Sequence, residues 1–79
     1  MSVYAGYIKT RILLSVKDGS KRIKDIHREI EVTYSTISKY LKVMNKEGLI
    51  KYGISKTDKR AKEILITKKG FNYLQITQN

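Results

Sequence analysis

Two short apolar repeats at helical spacing, set only a few residues apart, restrict the fold of this chain more than any other feature. Ile23, Ile26 and Ile30 recur at i, i+3 and i+7, the spacing of the buried stripe of a short helix. Glu31-Val32 reads as a turn, and Thr33 is a residue type whose side-chain oxygen caps the start of a helix. A second helix is expected from Tyr34 to Lys46, with Ile37, Leu41 and Met44 on one face. Gly48 stands where a left-handed residue ends such a helix. Beyond it, Ile50, Tyr52 and Ile54 alternate with Lys51 and Gly53, and Ile64 and Ile66 alternate after Lys62. With the polar run 55–61 between them, these segments read as an antiparallel hairpin. Thr67 is placed to cap a last helix, with Phe71 and Leu74 on one face and Tyr73 and Ile76 on another. Gly70 weakens that helix and is tolerable where the helix packs closely. The order predicts an α+β fold, mainly α: a winged helix-turn-helix of three helices, a two-stranded wing hairpin and a C-terminal helix, in one domain spanning 1–79.

The first of the three helices is expected over Val3–Lys17, ended by Asp18-Gly19-Ser20. It carries two apolar stripes. Tyr4, Ile8, Ile12 and Val16 form one, and Val3, Tyr7 and Leu14 the other. A surface helix of a monomer needs one apolar face. Either a second subunit or a central place in a small core would cover the extra stripe. Val3, Tyr7 and Leu14, with Tyr73 and Ile76, are thus the candidate dimer interface. A chain of 79 residues buries a modest core, and without cysteines or an evident metal cluster a partner subunit is an attractive source of stability.

Seventeen Lys and Arg against seven Asp and Glu give a net charge of +10. Such an excess favours a polyanionic partner, nucleic acid first and an anionic membrane surface second. The absence of cysteine excludes disulfides and thiol chemistry. The N-terminal stretch lacks the basic and apolar regions of a secretory signal, and no apolar run approaches the roughly 18 residues of a membrane span. No membrane partner and a cytoplasmic location are expected.

In a helix-turn-helix the second helix enters the major groove with its N-terminal residues at the base edges. With Ile37, Leu41 and Met44 facing inward, the opposite face holds Tyr34, Ser35, Ser38, Lys39, Lys42 and Lys46. The serines can bond to base edges or phosphates, Tyr34 can stack on a sugar or touch a thymine methyl, and Lys39 can reach guanine. Lys42 and Lys46 suit phosphate. In the hairpin turn, Lys56, Lys59 and Arg60 gather positive charge where a narrow tip could approach a minor groove, whose potential attracts arginine. Asp58 would be repelled by phosphate unless it pairs with Arg60. A solvated lysine face and a flexible charged loop are the plainer readings of these two elements. His27, the only histidine, reads as a packing or surface residue rather than a metal ligand. No nucleophile with a base, no carboxylate pair with a shared role and no phosphate-cradling glycine loop is present. Neither an enzyme, a cofactor nor a small-molecule ligand is indicated.

Residues Ile26 to Leu74 resemble the MarR family of winged-helix regulators. Ser35-Thr36-Ile37-Ser38, Tyr40-Leu41 and Glu47-Gly48-Leu49-Ile50 are similar to its recognition helix and the exit into the first wing strand. Asp58-Lys59-Arg60 is similar to its Asp-x-Arg wing signature, and Ile66-Thr67-Lys68-Lys69-Gly70 to the Leu-Thr-x-x-Gly that follows the wing. The resemblance implies a dimeric repressor or activator of transcription. Arg60 would enter the minor groove and Asp58 would orient it. The terminal helices are shorter here than in that family, His27 stands where the pattern usually has a small residue, and Arg22 where a Ser or Thr cap is commoner. Chains this compact and basic also resemble winged-helix regulators of archaeal viruses and plasmids, which would place the protein in host cytoplasm. The expectation is therefore a sequence-specific regulator that binds double-stranded DNA as a homodimer. A winged-helix module for protein–protein contacts and a non-specific nucleic-acid binder are the alternatives.

Overall fold

The computed structural model describes residues 3–54 and 61–78, apart from the side chains of Val3, Thr77 and Gln78. Helix α1 (Val3–Val16) is followed by a two-residue strand β1 (Lys21–Arg22), α2 (Ile23–Glu29) and α3 (Tyr34–Lys46). Strands β2 (Ile50–Ile54) and β3 (Lys62–Ile66) and helix α4 (Lys68–Gln78) complete the order. The winged helix-turn-helix expectation is met, with one addition. Lys21 and Arg22 pair antiparallel with Ile64 and Glu63, so the wing hairpin becomes a three-stranded sheet in the order β1-β3-β2. Two residues carry no periodicity, so this strand left no pattern to read.

One core holds the helices on the sheet. Ile8, Ile12, Leu13 and Val16 of α1, Ile26 and Ile30 around α2, Ile37, Leu41 and Met44 of α3, Leu49, Ile50 and Ile64 of the sheet region, and Leu74 of α4 are all buried. The expected α1 stripe is confirmed at Ile8, Ile12 and Val16, gains Leu13, and loses Tyr4, which is exposed. The alternation of β2 is real, but burial stops early. Ile50 is buried, Tyr52 is partly exposed and Ile54 is exposed, because the strand runs past the end of the core.

Local chemistry sets the element ends as the sequence foretold. Thr33 Oγ1 accepts from the Thr36 amide at 3.3 Å, capping α3. At the other end Gly48 adopts φ +81°, which a side chain would make costly. Its amide bonds to the Asn45 carbonyl at 3.1 Å and the Leu49 amide to the Met44 carbonyl at 2.9 Å, the paired bonds of a Schellman ending. Thr67 then ties this corner to the wing and to α4. Its hydroxyl lies 2.6 Å from the Gly48 carbonyl and 3.0 Å from the Leu49 carbonyl, and accepts from the Gly70 amide at 3.0 Å. Its own amide donates to the Leu49 carbonyl at 3.2 Å. A Cβ on Gly70 would stand 2.4 Å from the Leu49 oxygen and 2.7 Å from Ile66 Cγ1. The close packing that would justify a helical glycine is therefore present.

Candidate nucleic-acid interface

Helix α3 is amphipathic because its three buried residues recur within one arc, which turns the remaining positions outward. Tyr34 is exposed, as are Ser35, Lys39, Lys42 and Lys46. Ser38 is half-buried, at the edge of this face rather than its centre. Two further exposed residues of α3, Asn45 and Val43, were not among the expected contacts. Val43 is apolar and so reads as core, yet it lies away from Ile37, Leu41 and Met44 on the helical wheel. That offset was available in the sequence.

The start of α3 is a tied cluster. Thr33 Oγ1 lies 3.2 Å from Ser35 Oγ and 2.9 Å from Thr36 Oγ1. No acidic residue sits in the first turn, so the positive end of the helix dipole is uncompensated by carboxylate and favours an approaching anion. His27 is half-buried on α2. Among the described residues no group of three or more His, Cys, Asp or Glu could hold a metal ion. Instead its Nε2 lies 3.0 Å from the Val32 carbonyl oxygen, across the turn between α2 and α3. Arg22 precedes α2 without a side-chain capping bond.

Charge is sorted by position. The acids Asp25, Glu29 and Glu47 pair with Arg28 at 3.7 Å, Lys21 at 2.6 Å and Lys9 at 2.9 Å. None of these pairs involves a lysine of α3. Glu29 also accepts from the Ser15 hydroxyl, and Arg11 Nη2 donates to its backbone carbonyl at 3.2 Å. The Lys21 bond first, then Ser15, hold the Glu29 carboxyl below the ordinary range. This network knits α1, β1 and α2 together along the groove lined by Arg11, Leu14, Ser15, Lys21, Glu29 and Ile30. Lys24 and Arg28 on α2 are exposed and were not among the expected contacts. They share a helix flank at i, i+4, on the helix that crosses the backbone in this motif.

The wing is framed by β2 and β3, which pair from Ile50 with Ile66 to Ile54 with Lys62. Lys62 Nζ sits 5.9 Å from the Tyr52 ring centroid, a cation–π distance. The expected wing contacts Lys56, Asp58, Lys59 and Arg60 lie outside the described residues. Of the expected dimer residues, Leu14 and Tyr73 are half-buried against the chain's own core, whereas Tyr7 and Ile76 are exposed at 57% and 76%. The Val3 side chain lies outside the description. A groove lined by Leu49, Lys69, Asn72, Tyr73 and Ile76 adjoins a second one lined by Lys9, Glu47, Leu49, Lys69 and Tyr73. No helix among the described residues is long and apolar enough to cross a membrane.

A family model described as bacterial regulatory protein, arsR family, matches residues 8–52, from the first buried turn of α1 through α3 into β2. The chain belongs to the arsR family of bacterial regulatory proteins. The match covers more than half of the chain, so this arsR-family member carries the helix-turn-helix of a bacterial regulatory protein. The MarR-like signatures at 58–60 and 66–70 fall beyond the matched residues.

Solved structures share the fold. The transcriptional regulator BldR from Sulfolobus solfataricus superposes with a TM-score of 0.83 at 23% identity, over 87% of this chain and 50% of BldR. The transcriptional regulator Tm0710 from Thermotoga maritima gives 0.80 at 25% identity, over 86% and 49%. A PadR family transcription regulator from Clostridium difficile R20291 gives 0.83 at 21% identity, over 91% and 83%. The arsR-family chain thus spans about half the length of BldR and Tm0710. No curated protein matches it in sequence.

Proposed function

We propose that this chain is a transcription regulator that binds double-stranded DNA sequence-specifically, with α3 in the major groove and the wing in the minor groove. The observation that carries the reading is the outward face of α3. It has three exposed lysines and no acid, and begins at a capped, uncompensated helix start with Tyr34 and Ser35 exposed. Tyr34, Ser35, Ser38 and Lys39 are assigned to base edges and nearby phosphates, and Lys42 to phosphate. Lys24 and Arg28 extend the phosphate contacts onto α2. In the wing, Lys56 and Lys59 meet backbone, and Arg60, oriented by Asp58 as in the MarR-type wing, reads the minor groove. Residues 1–79 act as one domain in the cytoplasm, as a homodimeric repressor.

Selection of binding sites from random duplex DNA at two salt concentrations tests this. The expected product is a pseudo-palindrome with half-site centres about 34–36 Å or a multiple apart, and binding that weakens steeply with salt. Recovery of bound DNA with no common motif would replace the reading by non-specific nucleic-acid binding. Absence of binding would favour a protein-interaction module. On the selected duplex, Arg60→Ala is expected to cost about 1–3 kcal/mol; unchanged affinity at matched salt would remove the wing from the mechanism.

Dimerisation is assigned to α1 and α4. The test uses the exposed members of the expected interface, because charging Leu14 or Tyr73 would also disturb the core they pack against. Tyr7→Lys with Ile76→Lys is expected to leave the fold intact and shift the mass in sedimentation from dimer to monomer. A dimer unmoved by both changes would place the interface elsewhere.

A further inference from the structure

His27 and Tyr34 close a ring of contacts around the turn that joins the two helices of the helix-turn-helix. The His27 Nε2 is 3.0 Å from the Val32 carbonyl oxygen. A carbonyl only accepts, so Nε2 carries the hydrogen and donates. The same imidazole meets the Tyr34 ring edge to face, with centroids 5.8 Å apart and planes at 84°, a favoured aromatic arrangement. Tyr34 is the first residue of α3, half exposed at 52%, at the helix end that meets base edges in this motif. An exposed tyrosine ring normally samples several rotamers, and immobilising a side chain on binding costs affinity. A neighbour that holds the ring beforehand removes part of that cost and fixes where the ring points.

We propose that His27 is a positioning residue for Tyr34, tying the turn through Val32 and bracing the Tyr34 ring in the orientation in which it meets DNA. This assignment rests on the DNA-binding reading above. It explains why an imidazole, a flat ring with a donor, occupies a turn-facing place on α2. A small residue there could neither span to Val32 nor touch Tyr34. Nε2 bears a hydrogen in both the neutral tautomer required here and the protonated ring, so the Val32 bond survives either charge state.

The test is a double-mutant cycle on the selected duplex at fixed salt, with His27→Ala, Tyr34→Ala and the pair. Each is also measured on duplexes altered one base pair at a time. His27→Ala is expected to weaken specific binding roughly two- to twelvefold, the range set by freeing one side chain. It should relax base preference at the same positions as Tyr34→Ala, and have little further effect once Tyr34 is alanine. His27→Gln, which keeps a donor for Val32 but no ring, holds the fold if the alanine variant does not. It should still relax the base preference. Thermal unfolding of each variant is followed in parallel. Additive effects of the two residues, or lowered stability with base preference intact, would overturn the proposal and leave DNA binding standing. A wild-type protein that binds no duplex would overturn the functional reading first and this assignment with it. Loss of preference in His27→Ala that His27→Phe restores would show the ring to be sufficient and remove the Val32 bond from the account.

Discussion

Gly70→Ala is expected to destabilise the fold by about 2 kcal/mol and to lower Tm by about 8–16 °C in a domain of this size. On helix propensity alone the change would stabilise by about 1 kcal/mol. The sign is reversed by the surroundings. The new methyl would meet the Leu49 carbonyl oxygen at 2.4 Å, and that oxygen is held by both the amide and the hydroxyl of Thr67. Ile66 Cγ1 at 2.7 Å and Leu13 Cδ2 at 3.2 Å close the other sides. Relief would require α4 to lift from the sheet, taking Leu74 from the core. Gly6, in α1, is the natural comparison, because a Cβ there meets nothing within 4 Å. Gly6→Ala should leave stability unchanged or raise it by up to about 1 kcal/mol. Thermal unfolding of the two variants checks the contrast, and a Gly70→Ala protein as stable as wild type would refute the close approach of α4 to Leu49.

The second large effect is expected in binding. Lys39→Gln with Lys42→Gln removes two exposed cations from the outward face of α3 without touching the core. If each neutralises one phosphate, the slope of log affinity against log salt should fall in magnitude by about 1.8, and affinity at 0.1 M salt should drop by about fifty- to a hundredfold. Lys17→Gln with Lys68→Gln removes the same charge from the end of α1 and the start of α4, and should change the slope far less. Fluorescence anisotropy titrations at several salt concentrations measure both. Equal slopes for the two double variants would mean that only overall charge matters and that α3 is not the binding element.

How much of this was legible in the sequence follows from the range of each interaction. The helix ends were readable because caps are local. Thr33, Gly48 and Thr67 act on backbone within a few residues or follow a fixed pattern at an element boundary. The inward faces of α2 and α3 were readable from spacing. What escaped depends on distant parts of the chain. Strand β1 exists because β3 offers an open edge, and Lys21-Arg22 says nothing of that. Ile54 alternates correctly, but alternation gives a face and not the depth of the core. Leu13 widens the buried arc of α1 because other elements pack on that side as well. On the outward face of α3, Lys39 and Lys42 are exposed, Ser38 sits deeper, and Val43 is exposed although its apolar type suggests core. His27 was the hardest to read. Its partners, Val32 and Tyr34, are near in sequence, yet only the fold of the turn brings a carbonyl and a ring to the same imidazole.

The Thr67 junction has a consequence for how such a domain would meet a duplex. One side chain bonds to the carbonyls that end α3 and to the amide that begins α4, while its backbone continues directly from β3. The end of α3 and the base of the wing are thereby joined through one residue, a tie that restrains the angle between them. If α3 and the wing both meet a duplex, part of the accommodation falls to the DNA. Operators would then be chosen partly by how readily the step between the two grooves bends or narrows, at base pairs that no side chain touches.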